Sequence, residues 1–504
     1  MNAERKYETD IVIVGAGNAA MCDAIAAREQ GANVIVLEKS PENEKGGNSA
    51  YTHGSIRFAY NCIEDLIQIM PDLTTEEIEN TDFGIYSEEN FYDDLCRLSE
   101  YRTDPELSSL LASKSFETMK WLRSHKIRFV PMYGRQAFKV NGKFKFWGGM
   151  VVESVGGGNG LIETLHNEGK NLGIQILYNA MATKLIHDDK GVHGVVFKHH
   201  GETKEIYSKS VILASGGFHA NTEMRTRYLG QKWDIAKVRG SRFNTGEGIQ
   251  MALDIGAVSH GNWSGAHAVG GDRYAPEFGE GFQKLSYPFG IIVNAKGERF
   301  VDEGSDFRNY TYANIGKLIL EQPGQFAWQI FDNKVSHLLR DEYKLRQVTK
   351  VTANSIEELA KKLDDIDPDG LLQTIKQYNA SIRNDIPFNP NIKDGRCTKG
   401  LSINKSNWAN TLDQAPFEAY AVTCGITFTY GGLRINSNSE VQDTLLQSIS
   451  GLYAAGELVG GLFYFNYPGG AGLMAGSVFG KIAGEKAAQF ASYRGNNQYE
   501  KNQI

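Results

Sequence analysis

The chain predicts an α/β fold of two or three packed units, and three observations carry that reading. The first forty residues spell a strand, a glycine turn, a helix and a second strand. Two distant segments, SVILASGG (210–217) and GLYAAGELVGG (451–461), read as strands ending in small residues. The length, 504 residues, is several times the roughly 150 residues of a typical domain.

Composition agrees with a globular enzyme-sized protein. Apolar residues make up 41% and charged residues 22%, an ordinary balance. A net charge of −7 argues against nucleic acid as the main partner, since a phosphate-binding face needs a basic excess. The polar start, MNAERKYETD, runs straight into a strand and lacks the apolar core of a signal peptide. No apolar run approaches the ~18–20 residues of a membrane span, and the best candidate, 456–484, is broken by glycines and by Pro468. These features predict a non-membrane, cytoplasmic protein. Cys22, Cys62, Cys96, Cys397 and Cys424 have no paired spacing, so reduced thiols are expected and no metal site is signalled.

In the opening unit DIVIV (10–14) is followed by GAGNAA (15–20), a helix-forming stretch, a stop at Gly31 and NVIVLE ending at Glu38. Gly15 makes the tight turn, Gly17 lets a pyrophosphate approach the backbone, and Ala20 allows helix and strand to pack closely. The phosphates would rest on the helix N-terminus, beside Asn18 and Ala19, where unpaired N–H groups and the helix dipole favour an anion. Glu38, about 20 residues on, can accept both ribose hydroxyls, with Lys39 next to it.

The segments beyond Glu38 favour FAD over NAD. EKGGNSAYTHGS (44–55) can wrap a larger cofactor through Gly46, Gly47, Asn48 and Ser49. The later strand ends add Ala214, Ser215 and Gly216, then Gly456 and Glu457, the latter placed for a ribityl or ribose hydroxyl, with Ala182 as a further contact. After Pro468 a glycine turn enters a helix with small residues on one face. Its N-terminus, at Gly472 and Leu473, would face the flavin pyrimidine and stabilise reduced-flavin charge. GGGNG (156–160) reads as a turn leading into a helix near the pyrophosphate.

Over nearly its whole length the sequence resembles the flavoprotein superfamily of fumarate reductase and succinate dehydrogenase, which includes ketosteroid dehydrogenases and tricarballylate dehydrogenase. The resemblance rests on GAGNAA with Glu38, GGNSAYTHGS, ILASGGF, FNTGEGIQMALDIGA (243–257), GERFVDEG (297–304), GITFTYGGLRI (425–435) and GLYAAGELVGG. GERFVDEGSDFRNYTYANIG and GLFYFNYPGGAGLMAGSVFGKIAG look most like the tricarballylate branch. It implies a Rossmann-like FAD domain of the glutathione-reductase type at 1–262 and 423–504, with an inserted α+β capping domain at 263–422. Asn48 stands where some members carry a flavin-linking histidine, so non-covalent FAD is expected, with His53 a loop histidine near the flavin.

The resemblance further implies Arg308 as the proton shuttle, with Glu303 and Asp306 as nearby relay carboxylates. Tyr310 and Tyr312 are alternative bases. His267 is the equivalent of a carboxylate-binding histidine, while His260 reads as a solvated turn residue. Two cations of the fumarate reductases are missing: Thr427 or Phe428 replaces a histidine, and Tyr467 replaces a clamping arginine. Tyr467 can instead polarise a ketone, as in ketosteroid dehydrogenases. The tricarballylate motif carries a histidine where this chain has Phe465. Arg57, Arg135, Lys139 and Arg273 are the remaining cationic candidates for carboxylates, each read first as a surface charge rather than a ligand. The expected reaction is CH–CH oxidation or reduction of a polycarboxylate or related acid, the alternative an enone-forming dehydrogenation. With one dinucleotide fingerprint, a separate redox partner is implied, which could hold the protein at the membrane periphery.

Overall fold

The computed structural model describes residues 7–147 and 149–501. Its main sheet forms around the strand Tyr7–Val14, which pairs in parallel with Val34–Leu37 on one side and Glu202–Leu213 on the other. Gln175–Leu177 extends the first side and Ser448–Ala454 the second, both parallel. Ile11, Val12, Ile13, Val211, Ile212 and Leu213 are fully buried, which is why these runs are continuously apolar rather than alternating. Strands from opposite ends of the sequence thus end side by side, and all their small-residue ends open on one edge.

The last helix, Ala471–Lys501, packs along the first, Asn18–Glu29. Close approach is possible because the facing residues are small. A Cβ at Gly480 would come 2.7 Å from the Ala19 carbonyl oxygen, and one at Gly484 2.2 Å from that of Asp23. Asp23 lies fully buried in this seam and neither carboxylate oxygen has a hydrogen-bond partner. Burial holds its carboxyl well above the usual range. The native state therefore keeps a proton that the unfolded chain releases above about pH 4, so this group's contribution to stability falls as pH rises from there. Asp23→Asn, which removes that penalty, is expected to raise the thermal midpoint at pH 7–8 by a few degrees and to do little at pH 4. A midpoint unchanged at pH 8 would contradict this account.

A second sheet is centred on two long strands, Ser259–Asp272 and Phe417–Leu433, paired antiparallel from Ser259 opposite Leu433 to Asp272 opposite Val422. Phe326–Phe331 and Val351–Ala353 pair with the latter, and Ile291–Val293 with Phe326–Phe331. One core, including Ile291, Trp328, Leu359, Leu371, Tyr378 and Ala421, is drawn wholly from 291–421. The helices Ile356–Lys362 and Pro368–Ala380 supply part of it, so the insertion mixes strands and helices. On this ground we propose the division at 262/263 and 422/423. The first boundary falls where the pairing of Ser259–Asp272 shifts between Asn262 and Ala266, and the second inside Phe417–Leu433. Lys237–Val238 joins the second sheet beside Gly425 and Ile426, although it precedes that division.

The glycines at 156–160 lead into the helix Gly157–Asn171, with Gly156 in the left-handed conformation (φ 80°) that glycine adopts freely. The Gly158 N–H donates to the Thr52 carbonyl at 2.9 Å. This turn therefore steadies the loop at 46–54 rather than lining the cleft.

Candidate active site

The edge of the main sheet opens into one large cleft between the two layers. At its nucleotide end, Gly15 sits so close to the next strand that a Cβ would meet the Ala214 oxygen at 2.4 Å. Helix Asn18–Glu29 starts at Gly17 without a side-chain cap, leaving its terminus to an anion. Glu38 is 94% buried; it accepts from the Ala16 N–H at 2.8 Å and the Ser40 N–H at 2.7 Å. Both bonds orient its carboxylate at the cleft wall.

Gly15, Gly17, Asn18, Ala19, Glu38, Lys39, Gly47, Asn48 and Ser49 all line this cleft, as do Ala182, Ala214, Ser215, Gly216, Gly456, Glu457, Gly472 and Leu473. Two expected contacts do not. Ala20 is fully buried in the main core, and Gly46 packs on Ile162, whose side chain a Cβ there would meet at 2.6 Å. Both are packing residues. Lys39 is held by Glu247 at 2.7 Å. Asn48 bridges the layers, its amide donating to the Thr427 carbonyl and accepting from the Ser241 N–H at 3.0 Å. Glu457 accepts from the Thr429 N–H at 2.9 Å and faces His219 Nδ1 at 3.1 Å. Asn18 Nδ2 donates to the Leu473 carbonyl at 2.9 Å, tying the two helix starts together.

At the other end Arg308, His267 and Tyr467 share the cleft wall. The turn Arg308–Tyr310 is tied to the loop before the last helix, because the Gly469 N–H donates to the Asn309 carbonyl at 3.0 Å. Arg308 is buried, donates to the Arg135 carbonyl and lies with its guanidinium carbon 5.4 Å from the Trp147 ring centre. Burial pushes it down to about 10, against the pull of Tyr287 and Glu342. His267 stacks on Phe428 at 5.1 Å and meets Tyr312 and Tyr467 edge-on. Neither of its ring nitrogens has a partner, and burial, aided by Arg239, lowers it to about 3, leaving a neutral imidazole.

Several sequence expectations need correcting. Tyr310 turns away from the cleft: its hydroxyl donates to Asp94 at 2.8 Å, with Arg57 and Arg97 over its ring. Tyr312 takes the cleft position, its hydroxyl 2.7 Å from that of Tyr467. Glu303 is bound to Arg299 at 2.5 Å, and Asp306 to Arg97 at 3.0 Å, so both are committed elsewhere. The carboxylate whose charge reaches Arg308 is Glu342. Arg57 is not a surface charge; it is fully buried and donates to the Gly469 carbonyl at 2.8 Å. Arg135 lines the cleft and pairs with Glu342. Lys139 is exposed, as a surface charge would be, whereas Arg273 is half-buried, lies over the Phe326 ring at 3.8 Å and pairs with Asp365 at 2.7 Å, outside the cleft. His260 is a half-buried strand residue, and Phe465 lies outside the cleft.

Arg239, Arg340 and Gln283 complete the wall, and no local motif in the sequence marks them. The Arg239 Nη2 donates to the Tyr51 carbonyl at 2.9 Å. In the orientation that satisfies its neighbours, the Gln283 amide oxygen accepts from Arg239 Nη2 at 2.6 Å and His53 Nε2 at 3.0 Å.

A dinucleotide cradle leading into a buried chamber of guanidinium groups and phenols defines a flavin-type oxidoreductase. The chain belongs to the FAD binding domain family, whose model matches residues 10–473. It is 30% identical over 491 residues to "Probable fumarate reductase Ifc3" of Shewanella frigidimarina, covering 96% of this chain and 75% of that protein. It is 27% identical over 520 residues to "Vinyl phenol reductase" of Lactiplantibacillus plantarum, covering 95% and 96%. The fold superposes on the open conformation of a flavocytochrome c3 fumarate reductase with a TM-score of 0.72 at 27% identity, covering 96% and 79%. A 3-ketosteroid Δ1-dehydrogenase from Sterolibacterium denitrificans shares the fold at 0.74 and 21% identity, covering 96% of this chain and all of that one.

The protein is thus an FAD-dependent oxidoreductase acting on CH–CH bonds. The cradle fits the cofactor: an uncapped helix start at Gly17, the wall-facing Glu38 carboxylate, and orphaned Thr427 Oγ1 and Tyr430 hydroxyl groups farther along. No helix among the described residues is long and apolar enough to cross a membrane.

Proposed function

We propose that the enzyme dehydrogenates, or in reverse reduces, a polycarboxylate such as tricarballylate or a related organic acid, with Arg308 moving the proton. One observation carries this reading. Arg239, Arg308 and Arg340 are all buried at one end of the cleft, and none forms an ion pair within 4.0 Å among the described residues. Buried cations without counter-ions are costly, and an anionic substrate removes that cost on binding.

Bound FAD supplies the two-electron hydride acceptor or donor. Asn48, fixed between the layers, supports its non-covalent attachment. Arg308 takes or gives the proton at the neighbouring substrate carbon, and burial eases that by making the guanidinium less basic than usual. Glu342, whose charge acts on Arg308, is the carboxylate nearest in effect where Glu303 and Asp306 are committed elsewhere. The cap excludes water from the chamber. Electrons then pass to or from a separate redox protein.

The hydrogen-bonded Tyr312–Tyr467 pair favours a second reading, an enone-forming dehydrogenase in which Tyr467 polarises a ketone. Anaerobic titration of the bound flavin with tricarboxylates, dicarboxylates and ketosteroids separates the two. Bleaching by acids alone is expected, with Tyr467→Phe keeping turnover within about tenfold of wild type. Bleaching by ketosteroids alone, abolished in Tyr467→Phe, would replace the first reading by the second.

A further inference from the structure

We propose that Arg340, from the cap, and Arg308 form a clamp that grips a substrate carboxylate between two guanidinium groups. The proposal rests on the organic-acid reading and names the residues that hold the acid. Arg340 precedes the short turn Asp341–Tyr343, and its backbone N–H is fixed on Ser286 Oγ at 3.2 Å. The residue is 7% exposed and Nη2 has no partner. The natural counter-ion two residues on, Glu342, is occupied: it pairs with Arg135 and stands 3.6 Å from His53.

Arg308 and Arg340 form the wall between the cleft and a small chamber of Phe138, Trp147, Phe289, Phe307 and Trp408. On that side Arg308 meets the Trp147 ring face, but the rings offer no hydrogen-bond acceptor for Arg340 Nη2, and an acceptor entering from the cleft would supply one. Arg340 is held well below its ordinary value, first by burial and next by the charge of Arg308. Two buried cations that repel each other, one with an orphaned donor, fit a carboxylate, which accepts charge-assisted bonds from both. The aromatic cluster of Phe428, Tyr467 and the uncharged His267 ring carries no cation itself; the third cation of the wall, Arg239, is hydrogen-bonded to the Tyr51 carbonyl and to Gln283.

The test uses the purified holoenzyme with tricarballylate, succinate and propionate, read by perturbation of the oxidised flavin spectrum and by steady-state turnover. Arg340→Gln is expected to raise the dissociation constant and KM of the best acid about 100-fold, with a much smaller fall in kcat. Arg340→Lys, which keeps charge but loses the fork, should lie between. FAD content and thermal midpoint are followed to show that the chamber survives. Wild-type dissociation constant and KM in a folded Arg340→Gln would overturn the clamp. If that variant loses FAD, Glu342→Gln decides: the charge of Glu342 acts on both guanidinium groups, so removing it should tighten acid binding several-fold, and equal or weaker binding would overturn the clamp. No spectral response of the wild type to any acid would overturn the organic-acid reading and the clamp with it, a result distinct from failure of the variants alone.

Discussion

Arg308→Ala is expected to retain its FAD and to lose turnover with the best acid substrate by about 10²–10⁴-fold, the range that removal of a positioned proton-transfer group produces. Retention of FAD is expected from geometry, because Arg308 lies at the substrate end of the cleft while Gly17, Glu38 and Glu457 line the cofactor cradle. The loss should appear in single-turnover flavin reduction as well as in kcat, since the missing group acts in the chemical step. A pH profile adds a sign. Burial sets Arg308 at about 10, and a base must be deprotonated to accept, so dehydrogenation should accelerate as pH rises towards 10 while reduction slows. Turnover within tenfold of wild type in the variant would remove Arg308 from the reaction and leave the Tyr312–Tyr467 pair.

Gly484→Val should unfold the seam between the first and last helices, costing about 3 kcal/mol or more. Helix propensity alone points the other way, since a side chain is worth up to about 1 kcal/mol over glycine within a helix. The contact decides the sign: the new Cβ would lie 2.2 Å from the Asp23 carbonyl oxygen, a backbone atom that cannot rotate aside. To relieve the overlap the last helix must move. Its start carries Gly472 and Leu473 at the cleft and is tied to Asn18, so FAD occupancy should fall with the thermal midpoint. Both quantities at wild-type values would refute the packing argument.

The local motifs are legible because their constraints act within a few turns of chain. A strand, a glycine turn, a helix and an acid at Glu38 can satisfy one another in a single geometry, and the small residues after Leu213 and Ala454 mark strand ends wherever they fall. Ala20 and Gly46 belong to the same motifs, yet they pack rather than face the cleft, a distinction of direction that spacing does not carry. The substrate end is harder to read, since its wall is assembled from many segments scattered between Arg135 and Tyr467. Arg239, Gln283 and Arg340 sit in stretches without a signature, and only the two long strands joining the layers bring them opposite Tyr467.

Between Tyr310 and Tyr312 the sequence offers equal candidates. Packing chooses, because the tight turn at Arg308–Tyr310 sends the first phenol to Asp94 and the start of the next helix sends the second to Tyr467. Proximity in sequence likewise favours Glu303 and Asp306 as partners of Arg308, but Arg299 and Arg97 claim them, and Glu342 supplies the field instead. The cofactor cradle is legible in the sequence because it depends on backbone turns and short-range spacing, whereas the class of chemistry is implied by the resemblance to the fumarate reductase superfamily. Which cations are left without a counter-ion is set by the fold, because a buried cation is defined by the groups that fail to neutralise it, and those come from every part of the chain.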